Sequence, residues 1–252
     1  MLCRVYAASA IGKSHIDGGI PCQDAFALNA IDDVLIAAVC DGAGSAALSD
    51  VGSNLVASSL VSAIADQYRA GEALHLLDVD SFKIKIEAMV AAARASLESL
   101  AQTESRMLGD YSATLVGAVT SADQGYFFHI GDGLAIAQSA APENGNIISL
   151  PENGEYANET YFITGSEWAA HLRVTPIDNA ISMLALMSDG AMPFVMNKGN
   201  ADFYRPFIDP VASYLETVSE ADGSKALEGT LSDVRTHQIT SDDKALLIAV
   251  WR

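Results

Sequence analysis

The sequence predicts an α+β protein, a four-layer α/β/β/α sandwich in which two antiparallel sheets pack face to face with a helix pair outside each. Three observations lead there. Apolar stretches of strand length come in runs joined by short Gly- and Asp-containing turns. Segments with helical spacing come in consecutive pairs, whereas a doubly wound parallel sheet would alternate one strand with one helix. Half of the 252 residues are hydrophobic, enough to bury a sizeable core. A generic α+β domain is the alternative. No repeat, low-complexity tract or linker divides the chain, so it reads as one domain over residues 1–252.

Val5 to Ser9, Asp24 to Ala30 and Val34 to Cys40 read as three strands. Leu48, Val51, Leu55, Val56, Leu60 and Ile64 then recur at helical spacing, and that helix should end near Gly71. A second helix follows on Ile86, Met89, Val90, Ala93, Leu97 and Leu100. Strands return at Ala113 to Val119, Tyr126 to Ile130 and Leu134 to Gln138, the last two split by the hairpin signal Gly131-Asp132-Gly133. Pro142 to Thr160 is polar and loop-rich, with one short strand at Ile147 to Leu150. Ser182 to Met187 is a strand, Phe207 to Val218 and Ala226 to Val234 are helices, and Ala245 to Trp251 is a closing strand.

Charge removes several classes of function. A net charge of -18 argues against nucleic acid, which needs a Lys/Arg-rich face, and against anionic membranes. No run approaches the roughly 18 apolar residues of a membrane span, and MLCRVYAASAIGKSH lacks the apolar core of a signal peptide. Cys3, Cys22 and Cys40 are odd in number and too scattered for zinc, so reduced thiols in the cytoplasm are expected. The acidity either keeps the protein soluble or crowds carboxylates that need cations.

The stretch VLIAAVCDGAGSAALSD sharpens that choice. A buried strand stops on Asp41, and Gly42-Ala43-Gly44 lets backbone approach a ligand. Taken singly this is an ordinary turn, but it recurs: Asp24 precedes a strand, Asp132 and Asp189 follow strands, and Asp242 and Asp243 precede the last one. Stacked sheets can bring such ends to one rim. Oxygen ligands of this kind suit Mg2+ or Mn2+ rather than zinc, and four carboxylates balance two divalent ions.

The blocks PCQDAF, VCDGAGSA, YSATLVGAV, FFHIGDG, LMSDGAM and SDDKALLIAV, in this order, resemble the metal-dependent protein phosphatases of the 2C (PPM) family, in particular its short bacterial serine/threonine members. The resemblance runs from about residue 9 to the C-terminus and implies the same sandwich, with a flap region around residues 140–180. It implies two divalent ions, Mn2+ or Mg2+, on Asp24, Asp41, the Gly42 carbonyl, Asp189 and Asp242, with Asp243 as an additional ligand and Asp132 at a third ion. Ser112 and Thr114 match a supporting core strand. The implied activity is hydrolysis of phosphoserine and phosphothreonine in proteins by a metal-activated water, with a Ser/Thr kinase as functional counterpart in bacterial signalling. Three positions depart from the pattern. Gln23 stands where the family has an acid, Gly19 where it has a phosphate-gripping Arg, and Ala43 where many members carry a His. His15, or Lys13 beside it, is the candidate replacement for the Arg as the phosphate's positive partner, with a packed or surface residue as the other reading. Asn158, Glu159 and Thr160 lie in the loop where the family carries its flap and read as a capped turn, with substrate contact as the alternative. A pseudophosphatase that binds phosphoproteins or a kinase without hydrolysis is the alternative from another class, and a hydrolase of small phosphorylated metabolites is a third.

Overall fold

The computed structural model describes residues 3–153 and 160–251, so Asn158 and Glu159 lie outside the described residues. Its strands are β1 (Cys3–Ala10), β2 (Ala25–Ile31), β3 (Val34–Cys40), β4 (Leu115–Thr120), β5 (Gly125–Ile130), β6 (Leu134–Ser139), β7 (Asn146–Ser149), β8 (Arg173–Ile177), β9 (Ile181–Met187) and β10 (Lys244–Trp251). The α-helices are α1 (Lys13–Gly18), α2 (Ser49–Arg69), α3 (Val79–Glu104), α4 (Met192–Val195), α5 (Arg205–Leu215) and α6 (Glu220–Leu231). One five-stranded sheet runs β1-β10-β9-β6-β7, the other β2-β3-β4-β5-β8, and every pairing is antiparallel.

The period of two explains the layering. In β3, Val34, Ile36, Ala38 and Cys40 point to α2 and α3, while Leu35, Ala37 and Val39 point to the opposite sheet. β10 repeats this on the other side: Leu246 and Ile248 join the core under α5 and α6, and Ala245, Leu247, Ala249 and Trp251 join the inter-sheet core. A strand covered on both faces must be apolar at every position, which is why these two read as unbroken hydrophobic runs. Each fully buried Leu, Ile or Phe contributes about 1.5–3 kcal/mol relative to exposure.

The helices follow from caps and stripes. In α3, Phe82, Ile86, Val90, Ala93, Leu97 and Ala101 form the buried stripe, and Asp78 caps the start by accepting from Ser81 N at 2.9 Å. In α6, Ser219 caps by accepting from Asp222 N at 3.1 Å, so the helix begins at Glu220 rather than at Ala226. Its first turn is acidic, which suits the positive end of the helix dipole but hides the apolar period. Three elements have no counterpart in the sequence reading. α1 and α4 span only six and four residues, and β8 contains Pro176, which an edge strand tolerates. No described helix is long and apolar enough to cross a membrane.

Register carries the acids to one place. Ala25 at the start of β2 lies opposite Cys40 at the end of β3, and Leu115 at the start of β4 lies opposite Ile130 at the end of β5. In the other sheet, Met187 at the end of β9 lies between Leu246 of β10 and Leu134 at the start of β6. Residues that precede β2 and β10 and residues that follow β3, β5 and β9 therefore share one rim.

Candidate active site

Asp41 leaves β3 with its backbone already fixed. Its N–H donates to Thr114 Oγ1 at 3.1 Å, and the Thr114 N–H donates back to Asp41 O at 2.8 Å. The next residue, Gly42, bridges to Ala113 and donates to Gln23 O at 3.1 Å. Across the rim, Ser188 accepts from Ala245 N at 2.9 Å through its hydroxyl, which in turn donates to Asp24. Asp132 sits in the turn between β5 and β6 and accepts from Thr160 Oγ1 at 2.6 Å. Gly131 makes that turn with φ +107°, and a Cβ there would lie 2.7 Å from Thr114 Cγ2. Asp41, Gly42, Thr114, Asp132, Asp189 and Asp242 line a cavity of about 180 Å³.

The electrostatics show how closely the acids crowd. Burial pushes the Asp24 carboxyl well above the ordinary range, reinforced by the charges of Asp243, Asp189 and Asp242 and opposed by the Ser188 bond. Burial likewise raises Asp41, with Asp24 and Asp189 adding to it. Asp189 is pushed up to about 6 by burial, helped by Asp242 and Asp132, while its hydrogen bond with Asp41 pulls the other way. Among the described residues, no three His, Cys, Asp or Glu side chains already stand in a ready ligand arrangement. Yet Asp24 Oδ2, Asp132 Oδ1 and Asp189 Oδ1 are buried with no hydrogen-bond partner. Orphaned carboxylate oxygens are costly to bury and are the donors a hard divalent cation takes. The residues present fit such an ion.

Residues 11–232 match the family described as Protein phosphatase 2C. The chain belongs to the protein phosphatase 2C family. Serine/threonine-protein phosphatase 3 of Escherichia coli strain K12 is 30% identical over 264 residues, covering 100% of this chain and 99% of that one. Among solved structures, the serine/threonine phosphatase Stp1 from Staphylococcus aureus has a TM-score of 0.65 at 14% identity, over 100% of this chain and 96% of its own. RsbX in complex with magnesium has a TM-score of 0.55 at 17% identity, over 98% and 94%. At these identities the two structures show the shared fold, while the family match and the Escherichia coli relative identify an enzyme of the serine/threonine phosphatase class.

Within this 2C-type phosphatase, Asp41, Gly42, Asp132, Asp189 and Asp242 line the cavity and Asp24 lies buried behind them within the field of Asp189 and Asp242, but Asp243 and His15 take other places. Asp243 is 2% exposed and its oxygens are engaged: Oδ1 accepts from Gly12 N at 2.6 Å, and Oδ2 accepts from Gln23 N at 2.6 Å and lies 2.8 Å from His15 Nδ1. A carboxylate engaged by two backbone N–H groups and by His15 ties the chain together beneath the rim, and it does not line the cavity. Asp243, expected as an additional ligand, is placed by these bonds as an anchor below the cavity rather than on its wall. His15, expected as the phosphate's positive partner, is buried against that anchor instead of lining the cavity, and Lys13 pairs with exposed Asp17. His75, His129 and His171 are partnered by Tyr68, Ser149 and Glu152 and do not line the acid cavity.

Lys244 escaped the sequence reading. It is fully buried at the start of β10, and its Nζ donates to Asp242 O at 3.1 Å. Burial lowers its pKa, and the charges of Asp243, Asp24 and Asp242 pull it back. A lysine inside an apolar strand directly after two acids was the available signal.

Gly190 shows how tight the rim is. A Cβ on it would come within 1.9 Å of Asp243 O, a backbone atom that cannot swing aside. Gly190→Ala should therefore cost about 2–3 kcal/mol, read as a lower urea midpoint at unchanged slope. An unchanged midpoint would mean that Asp189 and Asp243 are not packed as described.

Proposed function

We propose that this chain hydrolyses phosphoserine and phosphothreonine in proteins, assisted by Mn2+ or Mg2+ held at the acid rim. One observation carries the proposal: at one rim Asp24, Asp41 and Asp189 have pKa values raised by burial and by neighbouring carboxylates, and buried carboxylate oxygens there lack a hydrogen-bond partner. Asp24, Asp41, the Gly42 carbonyl, Asp189 and Asp242 would hold two ions, with Asp132 available to a third. Magnesium in the related RsbX structure is consistent with this donor set. Divalent cations bound there supply an acidified water and positive charge for the phosphoryl oxygens.

The chain's own residues do the positioning. The paired bonds between Asp41 and Thr114 fix the carboxylate that leaves β3, and the Ser188 bond fixes Asp24 across from it. The Asp243 anchor ties β10 to the segment before β2, so that Asp24 and Asp242 keep their separation. Ala43 has no proton to give, so the departing seryl or threonyl oxygen takes its proton from solvent. The acid cavity shares Asp132 and Asp189 with a second, open cavity of about 870 Å³ lined by Leu150, Pro151, Met192 and Met196. That space suits a peptide segment better than a small metabolite, which supports a protein substrate. A Ser/Thr kinase acting on the same substrates is the functional counterpart this reading implies.

The test is phosphate release from a phosphothreonine peptide by purified protein in Mn2+ and in EDTA. The expected result is steady turnover in Mn2+ and at least 100-fold less in EDTA. No turnover with any divalent ion, together with retained binding of the peptide, would replace this reading by a binding module.

A further inference from the structure

With the proposed ions bound, four carboxylates and two divalent cations balance, so a phosphorylated substrate still brings an uncompensated dianion to the rim of a chain of net charge -18. The nearby cations are mostly committed. Arg173 contacts Glu152 at 3.1 Å, Lys13 pairs with Asp17, and Lys244 is buried beneath the Asp242 backbone. Among the described residues lining the two cavities that meet at Asp132 and Asp189, Lys198 is the one basic side chain. It is exposed and forms no hydrogen bond or ion pair with another described residue.

Its presentation is built rather than incidental. Met196 bridges to Phe203, both buried, and Asn197 N donates to Asp202 O at 2.9 Å. Asn197 Oδ1 accepts from Ala201 N at 3.1 Å and from Asp202 N at 3.3 Å, closing a tight turn. Gly199 at φ +101° and Asn200 at φ +56° complete it with left-handed residues. The backbone that carries this unpaired lysine is thus a pinned turn, on the cavity that also contains Asp132 and Asp189.

We infer that Lys198 is the cationic ligand of the substrate's phosphoryl group. An ammonium is a compact point charge that donates charge-assisted hydrogen bonds to phosphate oxygens from any direction. The inference rests on the proposed phosphatase reading and names its phosphate-binding residue.

The test compares wild type, Lys198→Ala and Lys198→Arg in Mg2+ with a phosphothreonine peptide, p-nitrophenyl phosphate and inorganic phosphate. In the Ala variant, KM for both substrates and the inhibition constant of inorganic phosphate should rise about tenfold or more, with kcat within threefold; the Arg variant should recover most of the loss. Melting temperatures of the three proteins serve as the folding control. Unchanged KM and inhibition constant in Lys198→Ala would overturn the inference. A higher KM for the peptide alone would overturn it too, by placing Lys198 on the peptide and not on the phosphoryl group. Absence of turnover in wild type would defeat the phosphatase reading, and calorimetric titration with inorganic phosphate would still judge Lys198: about tenfold weaker binding to the Ala variant supports it, and equal binding overturns it.

Discussion

Asp41→Asn should lower Mn2+-dependent phosphate release from a phosphothreonine peptide by at least 100-fold, about 2.7 kcal/mol of barrier, while raising the melting temperature of the metal-free protein. The two effects have one cause. Asp41 is buried beside Asp24 and Asp189, and its charge is tolerated only with a proton or a cation. The amide removes that repulsion but offers a far poorer ligand, a trade of function against stability. Asp189→Asn should behave alike. A residue with a purely structural role would lose stability on substitution. Asp243→Asn is the contrast, because it disturbs a carboxylate engaged by Gly12, Gln23 and His15, so its first effect should be a lower melting temperature. Retention of more than a tenth of wild-type activity by Asp41→Asn would detach this carboxylate from the chemistry.

The second large effect joins pH to metal. Asp24, Asp41 and Asp189 have folded-state pKa values above those of an unfolded carboxylate, so the folded protein binds more protons than the unfolded chain between the two values. Metal-free stability attributable to them is therefore fully present below about pH 4 and is lost as pH rises through the folded values, with Asp189 near about 6. Cation binding needs the same carboxylates deprotonated and so strengthens over that range. The melting-temperature gain from saturating Mg2+ over EDTA should grow steadily from pH 5.5 to pH 8. At pH 8 it should reach about 5–10 °C, from a mass-action term of about 2.7 kcal/mol at a hundred times Kd. Buried His129, whose pKa is lowered by burial, works in the opposite direction, but it is common to both buffers and cancels in the difference. A gain that is flat with pH would separate the buried acids from cation binding.

Much of this was legible in the chain because it is local. β3 and β10 announce themselves as apolar runs, and their terminal acids stand out against them. α3 announces itself through its stripe. What escaped was short or polar: α1, α4, the Pro-containing edge strand β8 and the acidic first turn of α6 carry little periodicity to detect.

By itself, the sequence determined the layered α+β architecture, the two doubly buried strands and the set of aspartates at strand ends. These follow from side-chain period and turn chemistry, which depend on near neighbours. Only the tertiary structure decided how those aspartates divide. Asp242 faces the cavity, whereas Asp243, one residue on, turns inward to Gly12, Gln23 and His15. It also decided that Lys244 lies buried among them and that Lys198 stands at a cavity they share. The physical reason is that the protonation, charge and orientation of a buried polar group are set by partners distant in the chain, and those partners are chosen by the packing of the two sheets.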